Sequence, residues 1–116
     1  MDHNRHLVSI ASADPRLHVL PRILLVGTVS DGNHARRRAQ QRAISATKLR
    51  IALAYGRRDH HCGRQRWTLL GRFLRHSPYA RYARELEGLQ LIGRAAPEQG
   101  VVWINTCKWN WAMRRH

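Results

Sequence analysis

The chain has 116 residues, of which 43% are hydrophobic and 7% aromatic, enough apolar material for one small folded domain and too much for wholesale disorder. Lys and Arg number 21 against 7 Asp and Glu, giving a formal net charge of +14 and a sequence pI of about 11.7, so the expected partner is RNA or another polyanion. The apolar stretch "LHVLPRILLVGTV" at residues 17–29 is interrupted by Pro21 and Arg22 and is too short to span a bilayer, so no membrane partner is expected.

All the basic residues except Lys48 and Lys108 are arginines. A guanidinium fork suits phosphate, but a GC-rich genome inflates arginine equally well, and the bias is neutral between the two. The two cysteines, Cys62 and Cys107, read as free thiols in a reducing compartment, and with no secretory signal peptide the expected location is the cytoplasm.

Residues 1–33 hold three arginines and three aspartates, so the whole excess of positive charge falls on residues 34–116. Residues 1–33 show no sustained period apart from an apolar run around residues 19–26. They read as a poorly ordered arm or a single extra strand, with an over-extended start of translation as a third reading. The domain proper is expected over 34–116. Asn33 is a good N-cap for a short polar helix opening at His34. Ser45 caps a second helix, "ATKLRIALAYG", with Ile44 and Leu49 as a hydrophobic staple and Gly56 as its stop. Residues 57–65 read as a charged turn and "RWTLLGRFLR" as a strand. After Pro78, "YARYARELEG" (79–88) reads as one or two helical turns. "LQLIGRA" (89–95) and "VVWINTCKW" (101–109) read as strands around the hairpin loop "APEQG". The order implies an α+β domain, with two N-terminal helices packed on a small antiparallel sheet of three to four strands.

Within the first expected helix, His34, Arg38 and Arg42 stand four apart and form one stripe, while Arg36 and Arg37 point elsewhere. A solvated basic face is the commoner meaning of such a stripe. The histidine is its odd member, because it can donate or accept a proton near neutral pH.

The pattern H-A-x-x-R-x-x-Q-R-x-I-S over residues 34–45 resembles the opening of the bacterial domain-of-unknown-function family 4258, and the resemblance extends over about residues 34–110. Ala43 stands where that family's pattern has glycine. Thr106, Cys107, Lys108 and Trp109 stand where it has threonine, an aliphatic residue, tyrosine and arginine. The family's helix-then-sheet layout is similar to the metal-free ribonuclease toxins of the barnase and RelE kind. The resemblance therefore implies RNA cleavage by attack of a ribose 2′-hydroxyl on its phosphate. In that reading His34 is the acid or base, Arg38 or Arg42 clamps the phosphate, and Thr106 and Lys108 complete the site. The structural alternative has His34 capping its helix and Arg42 paired with Glu85 or Glu87.

Two further groups stand out. "DHHCG" (59–63) invites a metal, but two adjacent histidines and a cysteine without a second ligand cluster read as a solvated turn, and neither metal nor cofactor is expected. Trp109 and Trp111, with Arg114 and Arg115, form a basic aromatic terminus on which unpaired bases could stack, while Trp103 is expected in the core. With Arg36, Arg37, Arg64 and Arg66 these four make up the expected nucleic-acid-binding set. The alternatives to a ribonuclease are a non-catalytic module for nucleic acid or ribosomes, and a protein-interaction module with an acidic partner such as an antitoxin.

Overall fold

A computed structural model describes residues 2–26 and 43–112 of the chain. The order of elements is α1 (Asp2–Ser12), α2 (Pro15–His18), β1 (Arg22–Leu25), α3 (Ala46–Tyr55), β2 (Arg57–His61), β3 (Arg64–Thr68), α4 (Gly71–Leu74), a 3-10 turn (Ala80–Tyr82), α5 (Ala83–Leu86), β4 (Leu89–Ala96), a second 3-10 turn (Pro97–Gln99) and β5 (Val101–Trp109). The strands form one sheet in the order β1-β5-β4-β3-β2. All neighbours are antiparallel except β1, which runs parallel to β5. None of the described helices is long and apolar enough to cross a membrane.

The α+β class stands, but the sheet has five strands and is mixed, not antiparallel with three to four. Both additional strands lie at edges, where the sequence carries little alternation. β2 is the polar run "RRDHH", expected as a turn. It needs only one partner, and Cys62 and Gly63 close its hairpin with φ of 51° and 78°, the two-residue turn with both centres left-handed that matches strand twist. β1 comes from the stretch expected to be an arm. That expectation fails over residues 2–26: Leu7, Ala11 and Leu17 are buried in the same core as Leu49, Ile51, Leu89, Leu91 and Ile104. Only the extra-strand part of the reading survives, as β1, and the boundary at residue 33 lies outside the described residues. So does the polar helix expected from His34.

The segment "RWTLLGRFLR" is also not one strand. Leu69, Leu70, Gly71 and Leu74 are all buried, a demand a one-faced strand cannot meet, and the chain turns inward as α4. The helix expected after Ser45 is present as α3. Ser45 accepts from the Lys48 amide at 3.2 Å, Ile44 and Leu49 are buried, and Gly56 ends the helix in extended conformation. The expected hairpin of β4 and β5 is present too.

One carboxylate holds the N-terminal elements down. Asp14 is 4% exposed and accepts from Tyr55 Oη at 2.8 Å, Tyr79 Oη at 2.9 Å and the Arg16 amide at 3.0 Å. The last of these is the N-cap of α2. Nearby, Arg16 Nη2 donates to the Ala54 carbonyl and Arg50 Nη2 to the Leu17 carbonyl, at 2.7 and 2.8 Å, and His6 Nδ1 meets the Tyr82 hydroxyl. Burial alone would raise the Asp14 carboxyl, but the tyrosine and amide hydrogen bonds, aided by the Arg16 charge, outweigh it and hold it below its ordinary value. Burial, then the bond to Asp14, pushes Tyr55 up to about 12.

Replacing Asp14 by Asn is expected to cost about 2–4 kcal/mol in urea unfolding, because both tyrosine hydroxyls donate to Oδ2 and the Arg16 amide to Oδ1, so an amide nitrogen at either position faces donors instead of accepting from them. Because the native carboxyl is more acidic than the unfolded one, the Asp14 contribution is complete above about pH 4. It is lost as pH falls through the lower native value. The wild type is therefore expected to lose stability on acidification more steeply than Asp14→Asn. Tyr55, with its raised native value, adds a loss as pH rises from 10 towards 12. A second expectation concerns Ala43, whose φ is 55°, a left-handed conformation in which its Cβ is crowded. Ala43→Gly is expected to raise the unfolding free energy by about 0.5–1 kcal/mol.

Candidate functional site

Alternation along the strands sorts the sheet into two faces. Leu89, Leu91 and Ala95 of β4, and Val102, Ile104, Cys107 and Trp109 of β5, face the helices and build or border the core. The opposite face carries the charge. Its cross-strand rows run through Leu24, Trp103 and Arg94, then through Thr106, Ile92, Arg66 and Asp59, and then through Lys108, Gln90, Thr68 and Arg57. At the Trp103 row the face holds a groove of about 510 Å³, lined by Val26, Gly63, Arg64, Arg94, Trp103 and Asn105.

A β-bulge shapes this groove. Ile92 pairs with Thr106 while Gly93 pairs with Ile104, so Asn105 is the extra residue on β5 and its amide is re-aimed into the groove. Gly93 permits the bulge: a Cβ there would lie 1.9 Å from the Trp103 carbonyl oxygen and 2.9 Å from Ile104 Cα. Val26 extends β1 past its last paired residue, its amide donating to the Ile104 carbonyl at 2.9 Å, and forms a wall of the groove.

The cations of this face are not equivalent. Arg66 is held bidentately by Asp59, at 3.0 Å through Nε and 2.7 Å through Nη2. That bond is the main reason the Asp59 carboxyl stays below its ordinary value, with burial opposing. Arg64 and Arg94 are exposed and have no carboxylate partner among the described residues. The fork of Arg66 is thus occupied, and Arg64 and Arg94 are the two arginines presented to the groove.

The expected site residues divide accordingly. Arg64, Arg66, Thr106 and Lys108 share one face, with Thr106 one row and Lys108 two rows from the groove. The Lys108 row is closed by the buried pair of Gln90 and Thr68, joined at 3.0 Å. Trp109 lies on the core face and stacks on Trp111, with ring centroids 5.8 Å apart and planes at 22°. The Lys48 ammonium stands 5.9 Å from the Trp109 ring centre, and Trp111 is 58% exposed. This pair is therefore a separate patch at the end of β5, not part of the groove. His34, Arg36, Arg37, Arg38, Arg42, Arg114 and Arg115 lie outside the described residues.

Arg94, Trp103 and Asn105 were not anticipated as site residues, and Trp103, expected in the core, faces the groove half-exposed. Alternation alone could have placed Arg94 and Trp103 on one face, but the bulge that turns Asn105 has no signature in the sequence. Among the described residues no three His, Cys, Asp or Glu side chains come together in a way that could hold a metal ion.

No protein-family profile, no curated protein and no solved structure matches this chain.

Gly93→Ala is expected to lower the unfolding free energy by about 2–4 kcal/mol in denaturant melts, since the added methyl meets backbone and only a shift of β4 against β5 relieves it.

Proposed function

We propose that the bulged groove on the outer sheet face binds single-stranded RNA. The observation that carries this reading is one groove in which two arginines without carboxylate partners among the described residues, a half-buried tryptophan and a re-aimed amide face the same space. Arg64 and Arg94 supply phosphate forks. Trp103 offers a ring on which an unstacked base can lie, and Asn105 can both donate to and accept from a base edge. The overall charge of +14 supports long-range attraction of a polyanion. The cytoplasm is the compartment this reading implies.

A second reading, metal-independent RNA cleavage on the same face, is favoured by the placement of Thr106 one row from the groove and of Lys108 one row further on. Its other support is the resemblance of residues 34–45 to family 4258, with His34 as the proton carrier and Arg38 or Arg42 as the clamp.

The test is anisotropy of a labelled, unstructured 5′-hydroxyl RNA across a salt series. Arg64→Ala and Arg94→Ala are each expected to weaken binding and flatten the log–log salt slope by about 0.7. Trp103→Leu is expected to weaken binding by about 1–3 kcal/mol without changing the slope. Salt-independent binding, or no effect of Arg94→Ala, contradicts the proposal and redirects attention to an acidic protein partner. Incubating wild type and His34→Ala with RNA in chelator separates cleavage from binding: products from wild type alone are expected if the second reading holds.

A further inference from the structure

Where α2, α3 and α4 meet, on the side of the molecule away from the outer sheet face, there is a second groove of about 400 Å³. It is lined by Arg16, Tyr55, Gly56, Arg72, Phe73 and His76, and none of its described lining residues is acidic. Both arginines lie against aromatic rings: the Arg16 guanidinium is 4.2 Å from the Tyr55 ring centre, and that of Arg72 is 5.4 Å from the Phe73 ring centre.

The groove is built from fixed parts. Asp14 anchors the Tyr55 hydroxyl at 2.8 Å, and the Ala54 carbonyl anchors Arg16 Nη2 at 2.7 Å. The Asp14 carboxylate beneath the groove keeps its charge and offsets part of that of Arg16, so the uncompensated cation of the groove, among the described residues, is Arg72. Arg72 and His76 make no ion pair among the described residues. Phe73 is 39% exposed, whereas Tyr79 and Tyr82 in the same stretch are buried. Positive donors beside an open aromatic face match a ligand that joins an anion to a flat ring, and the volume is that of a small-ligand pocket.

We infer that this groove is a nucleotide site, with Arg72, Arg16 and His76 holding a phosphate and Phe73 carrying the base. The inference stands apart from the sheet-face reading and shares no residue with it. The ligand chemistry is a nucleoside 5′-phosphate, either free or as the phosphorylated end of an RNA chain.

Calorimetric titration of the full chain with adenosine 5′-monophosphate, adenosine and inorganic phosphate tests it. The nucleotide is expected to bind more tightly than either fragment. Arg72→Ala should weaken it about tenfold or more, the loss of one charge-assisted hydrogen bond, and Phe73→Ala by a comparable factor. Arg94→Ala should leave it unchanged. Arg72 and Phe73 are exposed, and unaltered melting curves would show that both variants fold. No nucleotide binding by wild type, equal affinity for inorganic phosphate, or indifference to Arg72→Ala overturns the inference. An RNA bearing a 5′-phosphate, compared with its 5′-hydroxyl form, separates the two sources. A phosphate-dependent gain lost in Arg72→Ala assigns the groove to an RNA end, and equal binding of both RNAs with nucleotide binding intact assigns it to the free nucleotide.

Discussion

The carboxylate of Asp14 is the constraint on which the rest of the described structure depends. A buried charge is tolerated only when its acceptor sites are filled. Here they are filled by groups far apart in sequence: the capped amide of α2, Tyr55 at the end of α3, and Tyr79 in the turn before α5. The three together lock the N-terminal helices onto α3 and onto the segment that returns to β4. From α2 the chain passes directly into β1, whose place beside β5 is therefore set by the same anchor. β1 in turn carries Val26 to the edge of the sheet groove, so a bond on the helical side governs a wall on the opposite side.

The sheet separates two tasks. Its helix-facing side spends its apolar residues on the core, and the polar, cationic residues of the same strands are left to the other side by alternation. On β2 and β3 the cross-strand pair of Asp59 with Arg66 holds one of four arginines, and Arg57, Arg58 and Arg64 have no carboxylate partner among the described residues. The bulge has an energetic cost. Inserting Asn105 interrupts the ladder between β4 and β5 and commits Gly93 to a position where no side chain fits. Bulges of this kind gather beside functional surfaces because they turn a side chain out of register.

Much of this was legible in the sequence, and the failures have physical causes. The cap at Ser45, the stop at Gly56 and the β4–β5 hairpin each depend on residues within one turn or loop, and local chemistry specifies them. β1 and β2 escaped because edge strands need no strict alternation, and because the pairing of β1 with β5 joins chain segments nearly eighty residues apart. The N-terminal helix escaped for the same reason: Leu7 and Ala11 become core only through α3 and Asp14, which no local pattern announces. Of the candidate site, Arg66, Thr106 and Lys108 fall on strands as expected, whereas Arg64, expected in the charged turn over residues 57–65, opens β3. Grouping the tryptophans by sequence proximity misled, because Trp109 and Lys108 are neighbours that point to opposite faces.

The central claim is that the outer sheet face, not the tryptophan pair or the helical side, meets RNA. Chemical-shift mapping of the isotope-labelled protein with an unstructured 5′-hydroxyl RNA addresses it directly. The expected result is a connected set of shifts at Arg64, Arg94, the Trp103 indole and the Asn105 side-chain amide. Shifts confined to Trp109 and Trp111, or to the groove around Phe73, would contradict it.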